Sequence, residues 1–539
     1  MQKVLTAEEM REVDRQTTDK YGIPSILLME NAAHAAVRAI TEKLGGSVEG
    51  KSVLVLCGKG NNGGDGAALA RILWTQGANV DVYLFGKIEE TKEDARVNFE
   101  ILKRLPQNNE TNTISFEVTR EDDWLHTTGF EIGKFDILVD ALFGTGLTKP
   151  IDISMQRLPQ IFSTAKKYSQ PSLFVSIDLP SGLNADLSES IGEHFQADLT
   201  VTFTAPKLAN VFPPASNFNG ELRIANIGSP DELIENSPSQ TFVAEKEDVL
   251  TWLDKTRVKT DSYKKTRGTA LIVAGSKNYS GAAILAANAC FGSGAGMVSV
   301  GVPESVQGIV AAKVLDEIIT RGFSETKDGA FAKSAAGDVL EFGGKMNVVA
   351  FGCGLTSNDE STRKFAREIA ENRKTPMVID ADGLNALAPF DLKGSDKAPL
   401  ILTPHIGEFQ RLLGTKKEVT DRIKSARDFA QKHNVILVLK GTRTLIAAPG
   451  GKVVINPTGS AGISRAGSGD TLTGIITGFL AQIYGVEEPN LKNTFETVAA
   501  ALYVAGLAGD IAAEIFSERL MSASDIRGCL NKAIEKIKN

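Results

Sequence analysis

The sequence predicts a two-domain α/β protein, and three observations support this prediction. The chain has 539 residues, more than one hydrophobic core usually supports. Short apolar runs alternate with helix-like or polar spacers, the pattern of a parallel sheet covered by helices. This pattern stops at residues 228–240, where Gly, Pro and Ser break it, and then starts again. We therefore expect one domain over residues 1–230 and a second over residues 241–539.

Composition and charge exclude several classes of protein. With 42% hydrophobic and 23% charged residues, the chain has the composition of a globular protein. The net charge of −7 and the lack of a long Lys/Arg run argue against nucleic acid as a partner. No apolar run approaches the ~18 residues of a membrane span, and the charged N-terminus does not resemble a signal peptide. The four cysteines are scattered, so we expect reduced core thiols and a cytoplasmic enzyme.

The first domain is predicted to begin its sheet with a strand, a glycine-rich loop over residues 58–66 and a helix over residues 67–76. Its strands are predicted at residues 53–57, 80–85, 135–142 and 173–177. The second domain is predicted to have a helix over residues 281–292 and another over residues 475–480. Its strands are predicted at residues 269–274, 297–302, 348–351, 377–379, 400–402 and 435–439. The apolar stretch 497–516 contains Asp510 and Glu514, which predicts a packed helix rather than a membrane span.

The first glycine-rich loop admits two interpretations. Gly58, Gly60 and Gly63 match the Gly-x-Gly-x-x-Gly pattern of dinucleotide-binding dehydrogenases. That pattern also requires an acidic residue at the end of the second strand, and this chain has Phe85-Gly86-Lys87 there. The loop instead carries the side-chain oxygens of Asn61, Asn62 and Asp65. Such a loop can bind a phosphate and a hard cation.

Two further loops follow strands of the same predicted sheet. One is Asp140-Ala-Leu-Phe-Gly-Thr-Gly-Leu, and the other is Ser176-Ile-Asp-Leu-Pro-Ser-Gly-Leu-Asn. Because open α/β sheets bind ligands at the carboxyl edge, we expect Asp140, Asp178 and Ser181 to meet the first loop there. Their oxygens can bind an ion or transfer a proton. The simpler alternative is that these residues form turns and cap helices.

The second domain has its own glycine-rich loop at residues 458–474, directly before an apolar helix. Asp470 is predicted in the first turn of that helix, where free N–H groups favour a phosphate. A carboxylate there can deprotonate a hydroxyl that attacks a phosphoryl group. Lys440-Gly-Thr-Arg-Thr offers further phosphate contacts, or solvated turn charges. Candidates for substrate or water-bound magnesium at the same edge are Asp380, Asp382, Asn385, His405 and Glu408, although a lone loop histidine is more often structural.

These motifs resemble a known pair of enzymes. Gly60-Asn-Asn-Gly-Gly-Asp-Gly, with the Asp140 and Asp178 loops, resembles the NAD(P)H-hydrate epimerase domain. Pro404-His-Ile-Gly-Glu, Lys440-Gly-Thr-Arg-Thr and Ala466-Gly-Ser-Gly-Asp resemble the NAD(P)H-hydrate dehydratase. The resemblance covers nearly the whole chain. It implies an N-terminal Rossmann-like three-layer α/β/α domain and a C-terminal ribokinase-like α/β domain.

The resemblance also implies an activity. Hydrated NADH and NADPH (NADHX and NADPHX) carry a hydroxyl group at C6 of the nicotinamide ring as R and S epimers. The epimerase interconverts them. The dehydratase uses ADP to phosphorylate the S form, and loss of phosphate restores NAD(P)H, with AMP and phosphate as by-products. The implied cofactors are K⁺ for the first half and Mg²⁺ with ADP for the second. We also expect a homo-oligomer without nucleic acid or membrane partners.

Site residues follow by matching motif. The implied potassium ligands are Asn62, Asp140 and Ser181, and the implied catalytic residues are Asp178 and Asp470. The epimerase substrate would contact Asn61, Asn62, Gly63, Gly64, Asp65, Gly144, Thr145, Gly146, Leu147, Thr148, Lys149, Pro150 and Asp178. The dehydratase substrate would contact Gly354, His405 and Asp470, although Gly352-Cys-Gly-Leu-Thr departs from the family's usual Gly-Pro-Gly-Leu-Gly. The nucleotide would contact Lys440, Gly441, Thr442, Arg443, Thr444, Ser460, Ala461, Gly462, Ile463, Ser464, Arg465, Ala466, Gly467, Ser468 and Gly469.

Two alternatives stay open at this point. The Gly-Ser-Gly-Asp turn suits a vitamin or sugar kinase of the ribokinase class equally well. The N-terminal half can also be a non-catalytic nucleotide-binding module.

Overall fold

The computed structural model describes residues 1–106, 112–120, 123–124, 129–152, 155–168, 173–357 and 359–539. The chain divides into two compact units. The N-terminal unit comprises Lys3–Ser239, and the C-terminal unit comprises Gln240–Asn539 together with Met1–Gln2.

The N-terminal unit is built on a sheet that has seven parallel strands in the described residues. Strand β1 (Gln2–Lys3) belongs to the other sheet. The seven strands are β2 (Ser52–Cys57), β3 (Asn79–Phe85), β4 (Ile114–Thr119), β5 (Ile137–Ala141), β6 (Leu173–Ile177), β7 (Leu199–Phe203) and β8 (Glu221–Ala225). Their order across the sheet is β4-β3-β2-β5-β6-β7-β8. The order reverses between β2 and β5, and open sheets of this kind bind ligands beside such a reversal.

Helices cover both faces of this sheet. The helices in the described residues are α1 (Ala7–Tyr21), α2 (Ser25–Lys43), α3 (Asn61–Thr75), α4 (Glu93–Arg104), α5 (Arg157–Tyr168), α6 (Leu208–Val211) and α7 (Asp231–Glu235). Strand β2 shows how the layers form, because successive side chains of a strand point to opposite faces. Val53 and Val55 pack with α2, α3 and α4, whereas Leu54 and Leu56 pack with α5. The unit is a three-layer α/β/α sandwich.

The C-terminal unit is built on an eleven-stranded sheet in the described residues. Its further strands are β9 (Thr241–Val243), β10 (Thr269–Val273), β11 (Met297–Pro303), β12 (Ile319–Phe323), β13 (Val348–Phe351), β14 (Met377–Ile379), β15 (Leu400–Leu402), β16 (Ile436–Leu439), β17 (Leu445–Ala447) and β18 (Val453–Ile455). The order is β1-β9-β18-β17-β16-β15-β14-β13-β10-β11-β12. In this order, the neighbouring strands β16, β15, β14, β13, β10, β11 and β12 pair in parallel. Strands β16, β17 and β18 form an antiparallel meander.

The helices of this unit in the described residues are α8 (Lys246–Lys255), α9 (Ser280–Gly292), α10 (Gln307–Ala311), α11 (Ala336–Gly343), α12 (Glu360–Asn372), α13 (Ala381–Ala386), α14 (Ile406–Leu412), α15 (Arg422–His433), α16 (Ser468–Tyr484), α17 (Leu491–Phe516), α18 (Ala523–Gly528) and α19 (Leu530–Lys538). Helices α9 and α16 pack so closely at Gly474 that a Cβ there would lie 2.2 Å from the Ala286 carbonyl oxygen. By length and hydropathy α17 alone among the described helices can span a membrane, yet 67% of its most apolar window is buried in the protein. It is a packed helix, as its sequence predicts.

Several predicted elements match the structure, and two predictions were wrong. The strands at residues 173–177, 348–351, 377–379 and 400–402 are confirmed. The predicted loop over residues 58–66 is wrong, because α3 already begins at Asn61. The glycines there lower helix propensity in the sequence, but tertiary packing requires them: a Cβ at Gly63 would lie 1.8 Å from the Gly58 carbonyl oxygen. The helix predicted at residues 475–480 begins earlier, at Ser468.

Candidate functional sites

Three loops meet at the carboxyl edge of the N-terminal sheet, as the parallel strand order requires. Gly58 after β2 lies against Leu142 after β5, because a Cβ at Gly58 would be 2.0 Å from the Leu142 carbonyl oxygen. The Phe143 N–H donates to Ser181 Oγ, after β6, at 2.9 Å. The loops border a cavity of about 1170 Å³, large enough for a nucleotide-sized ligand.

The cavity wall contains part of the predicted substrate set. Asn61, Asn62, Asp65, Gly144, Thr145, Gly146, Leu147 and Asp178 line it. The wall does not include Gly63, Gly64, Thr148, Lys149 or Pro150. Gly64 instead packs against Ala95 and Met29, where a Cβ would approach both to 2.8 Å. The two glycines therefore allow α3 to begin close to its neighbours, and the wall continues after Pro150 with Asp152 and Met155.

Asp178 is held by a buried lysine that the sequence analysis did not identify. Lys207 Nζ donates to Asp178 Oδ1 at 2.6 Å, and the lysine side chain is only 1% exposed. Thr202 Oγ1 donates to the same oxygen at 3.0 Å, and the Thr145 N–H donates to Oδ2 at 3.3 Å. The backbone of Asp178 has a φ of 66°, a left-handed conformation that Asp tolerates better than most residues. Asp178 does not serve as a helix cap, so the simpler interpretation is wrong for this residue.

Asp140 lies beneath the cavity wall and forms a compact network with the Asp178 loop. Ser181 Oγ donates to Asp140 Oδ1 at 2.5 Å, and the Ser181 N–H donates to Oδ2 at 2.8 Å. Ser176 Oγ donates to Oδ2 at 3.0 Å. Burial raises the pKa of Asp140 to about 6, while these hydrogen bonds oppose the rise. In the described residues no lysine or arginine forms an ion pair with Asp140.

Asn62 is a residue of this site whose side chain, like Oδ1 of Asp14, lacks hydrogen-bond partners in the described residues. Its side chain is buried, and neither Oδ1 nor Nδ2 has a hydrogen-bond partner in the part of the chain that the structure describes. A Cβ on Gly144 would lie 3.3 Å from Asn62 Oδ1 and 3.0 Å from Asp178 Oδ2. Buried amides are almost always satisfied, so Asn62 indicates a ligand at this position.

Two more carboxyl groups border the same cavity. Asp14 comes from α1 and Asp65 from the first turns of α3. Burial raises the pKa of Asp14 to about 6; Lys207 opposes the rise, and Asp178 adds to it. Burial, followed by repulsion from Asp178 and Asp14, raises the pKa of Asp65 well above its usual value. Asp14 was not singled out from the sequence.

In the C-terminal unit, α16 begins directly at a charged cluster. Its N-terminal cap is Gly467, with a φ of 89°, a conformation that favours glycine. A Cβ on Gly469 would lie 3.6 Å from Lys440 Nζ and 3.8 Å from Asp380 Oδ2. Asp470 lies in the first turn, as predicted. A lysine ammonium and free helix N–H groups side by side form a strong anion-binding arrangement.

Asp380 positions the Lys440 ammonium. Lys440 Nζ donates to Asp380 Oδ1 at 2.7 Å, and Thr473 Oγ1 donates to Oδ2 at 2.7 Å. The Asp380 side chain is 2% exposed and that of Lys440 is 20% exposed. Burial acts to lower the pKa of Lys440, but attraction to Asp380 and Glu408 raises it overall. Lys440 therefore stays charged at the start of α16.

Asp470 is half-buried and accepts a hydrogen bond from the Cys353 thiol. Burial raises the pKa of Asp470, the Cys353 hydrogen bond opposes this, and repulsion from Asp380 adds to it. Burial also raises the pKa of the Cys353 thiol well above its usual value, so it remains a donor. The departure of this chain from the family's usual Gly-Pro-Gly pattern thus places a thiol on the candidate base.

Gly354 lies next to this thiol and allows close packing. Its φ is 67°, and a Cβ there would lie 2.8 Å from Tyr279 Cβ. Asp382 organises the following loop, accepting from the Thr356 N–H at 2.9 Å. Among the described residues no group of three or more His, Cys, Asp or Glu side chains is arranged to hold a metal ion.

His405 has a structural function in this conformation. It is the N-terminal cap of α14, where Nδ1 accepts from the N–H groups of Gly407 at 3.0 Å and Glu408 at 3.4 Å. Glu408 in turn accepts from the His405 N–H at 2.9 Å. The imidazole is 54% exposed, and its Nε2 lies 3.4 Å from Glu408 Oε1.

The residues predicted to contact the nucleotide lie in different environments. The hydroxyls of Ser460 and Ser468 are buried and have no hydrogen-bond partner in the described residues. Arg443 lies in a hairpin turn with a φ of 55°, and burial lowers its pKa while Asp510 opposes this. Arg465 Nη1 donates to the Met521 carbonyl oxygen at 2.7 Å, so it also fixes a neighbouring loop.

Comparison with known proteins yields consistent matches for both units. A family model described as NAD(P)H-hydrate dehydratase matches residues 270–531. A model described as YjeF-related protein N-terminus matches residues 25–209. The chain is 39% identical over 530 residues to the bifunctional NAD(P)H-hydrate repair enzyme Nnr of Moorella thermoacetica, covering 97% of this chain and 95% of the relative. It is 34% identical to the enzyme of the same name from Salinibacter ruber, covering 97% of this chain and 94% of that one.

A crystal structure of the ADP/ATP-dependent NAD(P)H-hydrate dehydratase from Bacillus subtilis, co-crystallised with ATP/Mg²⁺, is also similar. The identity is 30%, the TM-score is 0.47, and the match covers 55% of this chain and 98% of that chain.

Proposed function

The chain belongs to the family of bifunctional NAD(P)H-hydrate repair enzymes, and from this premise we propose how its two units divide the work. The enzyme repairs hydrated NADH and NADPH. The N-terminal unit interconverts the R and S epimers at C6, and the C-terminal unit dehydrates the S form at the expense of a nucleotide.

The observation that carries the dehydratase proposal is Asp470 beside the Lys440 ammonium at the start of α16. Asp470 takes the proton of the C6 hydroxyl group while the oxygen of that hydroxyl group attacks the terminal phosphoryl group of the nucleotide. Lys440 and the first N–H groups of α16 stabilise the charge on the transferring group. The ring nitrogen lone pair then assists departure of phosphate from C6, and loss of a C5 proton restores the double bond.

The nucleotide lies, in our proposal, between Lys440–Thr444 and Ser460–Gly469, where the hydroxyls of Ser460 and Ser468 have no partner among the residues that the structure describes. Mg²⁺ would be held mainly by the nucleotide and water and would neutralise phosphate charge, since Mg²⁺ keeps several waters and needs few protein ligands. We propose ADP as the phosphoryl donor, so that AMP and phosphate are released. ATP is the alternative donor, which supports the same chemistry.

In the epimerase half we propose that Asp178 transfers the proton. Its fixed position beside Lys207 on the cavity wall supports this role. A carboxylate whose orientation is fixed by three donors is preorganised for proton transfer. The cavity wall includes Asn61, Gly144 and Asp178, which supports binding of the nicotinamide ring near these residues.

We also propose potassium at this site. Asn62 has an unpartnered buried amide, and Asp140 is a buried carboxylate without a cationic partner in the described residues. Together with the Ser181 hydroxyl they form an all-oxygen donor set, which suits a hard cation. Potassium would balance the charge of Asp140 and order the loop that carries Asp178.

Two assays separate this function from its alternatives. A vitamin or sugar kinase would accumulate a stable phosphorylated product, whereas the repair enzyme releases inorganic phosphate as reduced-nicotinamide absorbance appears. A non-catalytic N-terminal module would leave R-to-S exchange at its enzyme-free rate. A cytoplasmic location, homo-oligomeric assembly and the lack of nucleic acid and membrane partners stay predictions.

A further inference from the structure

The epimerase cavity contains more carboxyl groups than one catalytic base explains. Asp14, Asp65 and Asp178 line it, and of the lysines on the same wall Lys207 is the one that pairs with Asp178. Lys207 Nζ donates to Asp178 Oδ1 at 2.6 Å, Thr202 Oγ1 at 2.9 Å and the Phe203 carbonyl oxygen at 3.2 Å. An ammonium has three N–H donors, so Lys207 has none left for Asp14 or Asp65.

Asp65 is the carboxyl group of this cluster that lies three residues after Asn62 in α3, and residues three apart in a helix are neighbours on its surface. It lies on the cavity wall in the first turns of α3, and no cation forms an ion pair with it in the described residues. The charged groups that act on it are Asp178, Asp14 and, in the opposite sense, Lys207. The buried Cys57 thiol lies below it and also responds to its charge. One carboxyl group with a cation and one without form the usual acid and base pair of an enzyme.

We propose that Asp65 is the second catalytic group of the epimerase half, acting as the acid while Asp178 acts as the base. The inference rests on the proposed epimerase function and assigns it a mechanism. Asn62 lies on the same wall, and its buried amide has no hydrogen-bond partner in the described residues, which supports a ligand in this part of the cavity.

The proposed step balances without an oxidant or a cofactor. The Asp65 carboxyl proton is transferred to the C6 hydroxyl oxygen, and the C6–O bond breaks as the N1 lone pair forms an N1=C6 iminium. Water then adds to the opposite face of C6, the iminium electron pair returns to N1, and the water proton passes to Asp178. In the reverse direction the two carboxyl groups exchange roles, as microscopic reversibility requires.

Asp65→Asn and Asp65→Glu test this assignment, with Asp14→Asn as the matched control. R-to-S exchange is measured against pH in H₂¹⁸O, and far-UV circular dichroism with urea unfolding reports that the chain is folded. For Asp65→Asn we expect kcat to fall at least ~100-fold with little change in KM. Asp65→Glu should retain part of the activity. The wild-type exchange rate should fall as pH rises through the Asp65 pKa, because the acid must be protonated.

The control separates charge from chemistry. Asp14→Asn removes a repulsive neighbour, which lowers the Asp65 pKa, so the high-pH decline should persist but move to lower pH. Each wild-type exchange event should incorporate one ¹⁸O at C6. A raised KM with unchanged kcat and pH profile in Asp65→Asn, or exchange without ¹⁸O incorporation, overturns the proposal. If Asp65→Asn does not fold, the wild-type ¹⁸O result and the Asp14→Asn profile decide. A wild-type enzyme without exchange would instead reject the epimerase function itself.

Discussion

Lys207 and Asp178 form an ion pair of 2.6 Å at the base of the epimerase cavity, with the lysine side chain 1% exposed. Removing one partner of a buried pair leaves the other charge without compensation. We predict that Lys207→Met destabilises the N-terminal unit by about 3–5 kcal/mol and reduces R-to-S exchange. Urea unfolding measures the first effect.

The matched control is Lys43→Met, because Lys43 pairs with Glu221 at 2.6 Å but is 43% exposed. An exposed pair contributes only about 0–1 kcal/mol. Combining Lys207→Met with Asp178→Asn should cost less than the sum of the single changes, since neither charge is then left alone. Equal costs for Lys207→Met and Lys43→Met would contradict the structural importance of the buried pair.

Asp470→Asn tests the proposed base of the dehydratase. The amide cannot take the proton of the C6 hydroxyl group, so dehydration of S hydrate should fall by about 10²–10⁴-fold. R-to-S exchange in the same preparation should be unchanged, and far-UV circular dichroism with urea unfolding provides the folding control. Phosphate release with ADP and S hydrate is the measurement, and retention of more than about a tenth of the wild-type rate would argue against Asp470 as the base.

Cys353→Ala tests the thiol that contacts Asp470. The base must be ionised, so dehydration is lost as pH falls through the Asp470 pKa. The Cys353 hydrogen bond lowers that pKa against the effect of burial, and its removal should therefore move the low-pH limb to higher pH. Cys290→Ala is the control, because Cys290 is equally buried but distant from this contact. If the low-pH limb of the dehydration profile does not move in Cys353→Ala, or moves equally in Cys290→Ala, the contact between Cys353 and Asp470 does not set the Asp470 pKa.

Potassium should stabilise the N-terminal unit through Asn62, Asp140 and Ser181. We predict that KCl raises the melting temperature of this unit and accelerates R-to-S exchange more than LiCl at equal ionic strength. Binding of an ion stabilises only the folded state. Asn62→Ala should abolish the difference between the two salts, whereas Asn217→Ala, on a different loop, should preserve it. A melting temperature indifferent to the choice of salt would remove the support for this site.

Sequence alone located both sheet edges, because strands of buried apolar residues end abruptly in Gly, Asp and Ser. The loops carrying Asp140, Asp178 and Asp470 were found in this way. The start of α3 at Asn61 was missed because glycines disfavour helices locally, and only the packing against Gly58 and Ala95 explains them.

Other features depend on contacts between distant segments. Lys207 follows β7 in an unremarkable Ala-Pro-Lys stretch, and its role exists only because β7 lies beside β6 and places it against Asp178. Asp14 looks like an exposed charge of an amphipathic helix. The Cys353 thiol was recognised as a departure from the family pattern, but its contact with Asp470 requires β13 and α16 to be neighbours. His405 was predicted to bind substrate, and the structure shows in addition that it caps α14.

The most direct measurement of the two-unit activity uses one vessel. Wild-type enzyme is incubated with a mixture of R and S hydrate, ADP, Mg²⁺ and K⁺, and the enzyme-free exchange is subtracted. We predict complete conversion to NAD(P)H with stoichiometric AMP and phosphate, and for Asp178→Asn a rapid phase that stalls at the S fraction. Wild-type conversion that itself stalls at the S fraction would contradict an active epimerase half.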